Sequence, residues 1–263
     1  MTCTKRSRYS TVLSSTLLVS TMVLTALPAM AKEVTSRPAI APPVKVSLKF
    51  KVPKRGAPRS TAGGASRGSC LQGGKLPGNK VLTSLVPTTR LGLTFAERPS
   101  FFVYVPQSPA QTAGFLLLSD DDTEVVYETT FALPSKAGII RFDLPANAPA
   151  MQVGKQYHWF ITTLCDATTG LSGSPTVEGW IERSTPNLAL TKALQKTLPG
   201  NRPNLYADAG IWHETLATLA DLRQKYPQNS KFLNDWREVL QSVGLTTVTA
   251  EPLVDCCTVK PQP

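Results

Sequence analysis

Between Thr88 and Ser184 apolar and polar positions alternate with a period of two, in short runs set off by turn residues. Seven runs are predicted as strands: Leu91 to Phe95, Phe101 to Val105, Gly114 to Ser119, Glu124 to Phe131, Ile139 to Leu144, Lys155 to Leu164 and Thr176 to Arg183. The separators carry Pro, Gly and Asp clusters, among them Pro106 to Pro109, Asp120-Asp121-Asp122 and Pro134 to Gly138, which is the chemistry of tight turns. Seven strands in about a hundred residues predict a seven-stranded, immunoglobulin-like antiparallel sandwich. In the run ending at Leu164, Tyr157, Trp159 and Ile161 share the face expected inside, and His158 points the other way beside Phe160.

Past Thr185-Pro186 the period becomes 3.6. Helices are predicted over Leu188 to Leu198, Asn204 to Ala209, Trp212 to Tyr226 and Ser230 to Val243, with Gly244 as the stop after the last. Trp212, Leu216, Leu219 and Tyr226 follow one helical face, and Phe232, Trp236, Val239, Leu240 and Val243 another. Tyr206, Gly210, Trp212, Leu216, Leu219 and Pro227 have the offsets of a single tetratricopeptide-like unit. One such unit cannot bury its apolar face alone. It must dock on the sandwich, on the chain's other helices or on a partner, so Trp212, Trp236, Tyr206 and Phe232 are the candidate interaction residues.

The first 31 residues read as an address. Lys5, Arg6 and Arg8 precede an apolar stretch that ends at Ala29-Met30-Ala31, a small-x-small cleavage site. Seven Ser or Thr residues between Thr11 and Leu27, followed by Pro28, make this stretch a poor membrane span. A secreted or periplasmic chain, exported by the general secretory route and without a stable transmembrane anchor after cleavage, is expected. The organisation then reads as signal peptide 1–31, basic Pro/Gly-rich disordered arm 32–80, sandwich 81–184, helical segment 185–245 and flexible tail 246–263.

Charge sharpens that division. The formal net charge over 263 residues is +10, yet residues 32–80 alone hold eleven Lys or Arg against Glu33, and residues 81–263 hold fourteen basic against seventeen acidic residues. The remainder is a mildly acidic globule with a basic leash, suited to an anionic envelope polymer or to service as a solvated spacer. Nucleic acid is excluded as a partner, because the chain is expected to be exported and the arm lacks interleaved aromatics for base stacking. Within the arm, Val44, Val46, Leu48 and Phe50 alternate with lysines, a pattern suited to adding as a strand to another surface.

Beyond the signal four cysteines remain, Cys70, Cys165, Cys256 and Cys257, an even count that suits an oxidising compartment. The favoured pair is Cys70 with Cys165, whose loop of about a hundred residues is worth about 4–5 kcal/mol in the chain-entropy description. Adjacent Cys256 and Cys257 have three readings: a vicinal disulfide, pairing between chains, or thiols. No Cys or His spacing fits a metal site. The acidic turn Asp120 to Glu124 is the best cation candidate, and an Asp-rich hairpin turn is its simpler reading. His158 and His213 are the only histidines. Alternation turns His158 away from Cys165, and His213 beside Glu214 reads as a helix-surface pair. No catalytic, cofactor-binding or metal residue is assigned, and no cofactor is expected.

Gly56-Ala57-Pro58-Arg59 through Gly63 to Cys70, then Glu97-Arg98-Pro99-Ser100-Phe101-Phe102-Val103-Tyr104, Val177-Glu178-Gly179-Trp180-Ile181 and Ala209-Gly210-Ile211-Trp212 stand in an order that resembles the cyanobacterial secreted family catalogued as domain of unknown function 928. The resemblance covers roughly residues 55 to 245 and leaves the tail from Thr246 outside. It implies export, a β domain followed by helices, and no established activity or catalytic residues. Two functions are therefore expected in order: a non-enzymatic envelope module for protein interaction or scaffolding, and a carbohydrate-binding or adhesive sandwich using exposed rings such as Tyr104 or Trp180.

Overall fold

A computed structural model describes residues 47–54, 80–164 and 174–257. The expected Cys70–Cys165 bridge, the signal segment and most of the basic arm lie outside these residues.

The described residues form two β-sheets and four α-helices. The strands are β1 (Thr83–Ser84), β2 (Leu91–Thr94), β3 (Ser100–Val105), β4 (Thr112–Leu118), β5 (Val125–Ala132), β6 (Gly138–Asp143), β7 (Gln156–Leu164) and β8 (Thr176–Arg183). One sheet has the order β1-β3-β6 and the other β2-β8-β7-β4-β5. All pairings are antiparallel except β2 with β8. Seven of these strands follow the seven apolar runs. The two-residue β1 is too short to leave a periodic trace.

Between the sheets, the rings of Phe115 and Phe142 stack at 4.4 Å, Phe131 meets Phe142 at 5.1 Å and Phe101 meets Trp159 at 5.2 Å. Tyr157, Trp159 and Ile161 point into this core as the alternation requires. The Tyr157 hydroxyl accepts the backbone N–H of Gln152 at 3.0 Å, which ties the entry of β7 to the chain just before it.

All of β3 is buried, because it is covered from both sides. Phe101, Val103 and Val105 belong to the core between the sheets, while Phe102 and Tyr104 belong to a second core beneath the helices. The unbroken run Phe101-Phe102-Val103-Tyr104-Val105 is the mark of a strand with no solvent face. The described residues therefore stack in three layers: five strands, three strands, helices.

The helices are α1 (Leu188–Lys196), α2 (Arg202–Asp208), α3 (Trp212–Lys225) and α4 (Ser230–Ser242). Asn187 and Asn229 cap α1 and α4 through their side-chain oxygens, satisfying N–H groups that a helix start leaves unpaired. Gly244, at φ +83°, stops α4 as expected. None of the described helices is long and apolar enough to cross a membrane.

Three consecutive residues at the start of α3 fasten the helical layer. Trp212 Nε1 donates to the Leu85 carbonyl at 2.8 Å, and His213 Nδ1 donates to the Ser100 carbonyl at 2.9 Å. Glu214 Oε1 accepts from Thr94 Oγ1 and from the backbone N–H groups of Phe95 and Ala96 at 2.8 to 2.9 Å. Gly92 makes room for this contact, since a Cβ there would lie 2.5 Å from His213 Nε2. His213 and Glu214 are thus docking residues inside the protein, not the surface pair expected from their spacing. The apolar face of the helices needs no neighbouring repeats, because the three-stranded sheet covers it.

Two segments expected to be loose are engaged. Leu48 and Phe50 are buried in the helical core with Lys49 and Lys51 exposed. The Phe50 ring meets Trp212 edge-on at 4.8 Å. The N–H of Leu48 donates to Glu238 at 2.7 Å and that of Phe50 to Ser242 Oγ at 3.0 Å. The alternation at these two positions is real, but the segment lies across helices and not along a sheet edge. At the other end, Ile139 N–H donates to Pro252 O at 2.8 Å and Val254 N–H to Ile139 O at 3.0 Å. Residues 252–254 thus run along β6 as a strap, where a flexible tail was expected.

Candidate functional site

The sequence-derived interaction residues do not form an open groove. Trp212 and Trp236 have no exposed surface, Phe232 is buried and Tyr206 half-buried. Their apolar face is already covered by β3, β6 and residues 48–50. Tyr104 and Trp180, the rings offered for sugar stacking, are buried as well.

A concavity does exist beside them. The chain turns at Tyr226 to Asn229 between α3 and α4, and the strap crosses β6 close by. Gly138 permits the crossing, since a Cβ there would lie 2.6 Å from Val254 Cγ1. The result is a cavity of about 490 Å³ walled by Phe102, Ile139, Ala220, Leu233, Leu253 and Val254, within the size range of ligand sites.

Two guanidinium groups enter this cavity, and they differ. Arg141 Nε meets Asp143 at 2.7 Å and its Nη1 meets Asp221 at 2.5 Å, so its charge is compensated. Arg223 sits 4.9 Å from the centre of the Trp236 ring. Its Nε and Nη1 are buried and have no hydrogen-bond partner among the described residues. Burial pushes this group below its usual value, with Arg237 adding repulsion. A cation over an aromatic face recovers about 0.5–2 kcal/mol, but a buried donor without an acceptor costs about 1–3 kcal/mol. Asp143 and Asp255 also line the cavity.

Cys256 lines the cavity and is disulfide-bonded to Cys257, the vicinal reading of that pair. Cys257 has φ +78°. The Cys256 sulfur lies 3.5 Å from the Ala132 carbonyl oxygen, so the disulfide packs the strap's end against the sandwich.

A second concavity, of about 530 Å³, lies on the outer face of the five-stranded sheet between Leu116, Leu118, Phe160 and Leu164. Among the described residues Glu128 is the one ionisable group that lines it.

The other polar groups have local duties. Asp121 accepts from Ser119 Oγ and from the N–H and hydroxyl of Thr123, and these bonds bring its carboxyl down to about 2. The acidic turn is held by its own hydroxyls and amides. His158 lies 2.9 Å from Asp122 and 3.6 Å from Glu178, stacked on Trp180. Burial lowers His213 to about 4, against a smaller upward push from its bond to Ser100. No group of three or more His, Cys, Asp or Glu side chains that could hold a metal occurs among the described residues.

Residues 62–253 match the family described as Domain of Unknown Function (DUF928). The chain belongs to that family. Its DUF928 region includes β1 to β8, all four helices and the strap to Leu253, so the pattern extends past residue 245, where the sequence resemblance was expected to end. Of the cavity's walls only Val254, Asp255 and Cys256 fall beyond it. No curated protein and no solved structure matches the chain.

Arg223 was missed by sequence reasoning. A basic residue in the last turn of a helix is what the helix dipole favours, so nothing at that position marks it as unusual.

Proposed function

We propose that this chain is an exported, non-enzymatic envelope protein that serves as an interaction or scaffold module. The β–helix–strap cavity is its docking site. The observation that carries the reading is a cavity of about 490 Å³ with apolar walls and a guanidinium that has no paired acid among the described residues. His213, Glu214 and Asp121, the groups with the strongest local constraints, are engaged in docking the helices or closing a turn.

The strand orders support an immunoglobulin-like reading of the β layers. β2-β8-β7-β4-β5 follows the order of a sheet whose first edge strand pairs in parallel with the last strand, and β1-β3-β6 supplies the opposing sheet. The Tyr157–Gln152 bond has the form of the tyrosine corner at the start of the sixth strand of such domains. Trp159, two residues later and against Phe101, fills the place where antibody domains carry a disulfide. Export rests on the signal-like segment 1–31, and the basic arm 32–80 supplies a tether to anionic envelope polymer.

The test is affinity capture from envelope extract with the purified chain and with Leu233→Trp, which fills the cavity from its rim. A stoichiometric partner retained by the first and lost by the second is expected. An unchanged partner set would place binding elsewhere on the molecule and overturn the assignment of the site.

A further inference from the structure

Building on the module reading, we infer that the cavity receives an acidic peptide segment of a protein partner, with a carboxylate side chain paired to Arg223 and aliphatic neighbours on the apolar walls. The other cation that lines it has acids of its own: Arg141 is paired with Asp143 and Asp221. Among the described residues Arg223 has none, and its named charged neighbour, Arg237, repels it. A guanidinium that lines a cavity with no paired acid leaves its charge to be met by an acid from outside. An incoming carboxylate meets that charge in a charge-assisted contact.

Two features choose among anions. Asp143 and Asp255 share the cavity, and their repulsion rises with ligand charge, so a singly charged carboxylate is tolerated better than a doubly charged phosphate. The volume exceeds what one carboxylate side chain fills. Phe102 and Leu233 on the one hand, and Leu253 and Val254 on the other, offer apolar contact to the residues before and after it. An acidic residue between two aliphatic ones meets both demands.

The experiment titrates the full chain with acetyl-Leu-Glu-Leu-amide and with its neutral analogue acetyl-Leu-Gln-Leu-amide, reading affinity by calorimetry. The glutamate peptide is expected to bind about tenfold to a hundredfold tighter, the range of one charge-assisted hydrogen-bonded pair. Arg223→Met, which keeps an apolar stem against Trp236, should abolish that preference, and Arg223→Lys should leave an intermediate one. Arg237→Met, at an exposed position, should keep it. Equal affinities for the two peptides, no binding of either, or an unchanged preference in Arg223→Met would overturn the inference. Loss of the envelope partner in Leu233→Trp together with equal peptide affinities would remove the acidic ligand and leave the docking module standing.

Discussion

Phe50→Ala tests whether residues 48–50 are part of the folded body or a passing strand of the arm. The ring is 6% exposed, meets Trp212 edge-on at 4.8 Å and sits in the cluster of Leu216, Trp236 and Val239. Removing a buried phenyl group forfeits its transfer free energy and leaves a cavity, together about 3–5 kcal/mol. The backbone bonds of Leu48 to Glu238 and Phe50 to Ser242 do not depend on the ring, so the loss belongs to packing. Lys49→Ala, one residue away with an exposed side chain, should change stability by less than about 0.5 kcal/mol. Urea unfolding followed by tryptophan fluorescence gives both numbers, since Trp212 and Trp236 lie beneath the segment. A Phe50→Ala loss below about 1 kcal/mol would refute the reasoning. It would mean that the segment detaches while the helical core survives.

Two further outcomes follow from the docking contacts. Because His213 is held at about 4, below the ordinary histidine value of 6.5, the unfolded chain gains a proton between pH 6.5 and 4 that the folded chain refuses. Stability therefore falls as pH drops through that window, by about 3 kcal/mol. Glu214 is pushed upward by burial and acts in the opposite sense, so the quantity to measure is the difference in stability against pH between the wild-type chain and His213→Asn; parallel curves would exclude the assignment. Tyr157→Phe removes the acceptor of the Gln152 amide and should lower the denaturation midpoint by an amount worth about 1 kcal/mol at unchanged slope, whereas an unshifted midpoint would show that water replaces the hydroxyl.

The strands and helices were legible because each buries a face at its own period. Seven strands and four helices fall where the alternation and the 3.6-residue spacing put them. The period at Phe101 to Val105 also held a message that counting strands passes over. A run without polar positions needs apolar cover on both sides, and that cover is the helical layer. His213 and Glu214 misled for a related reason: spacing along a helix reports neighbours on that helix, while their partners, Ser100 and Thr94 to Ala96, come from over a hundred residues away. Leu48 and Phe50 were marked by alternation, but alternation cannot say whether the surface they meet is a sheet edge or a pair of helices.

The candidate site was illegible for a deeper reason. Its walls come from β3, β6, α3, α4 and the strap, and none of these segments is unusual by itself. What singles out Arg223 is an absence, the lack of a paired acid among the described residues, and a missing partner has no sequence signature. Arg141, equally basic and in the same cavity, differs only in that the fold delivers Asp143 along its own strand and Asp221 from α3. Placing Asp221 required knowing that α3 lies over β6, and that followed once β3 was understood to have no solvent face. Most of the charge that first drew attention, the basic arm, lies outside the described residues, while the cation that carries the functional proposal sits within the acidic globule.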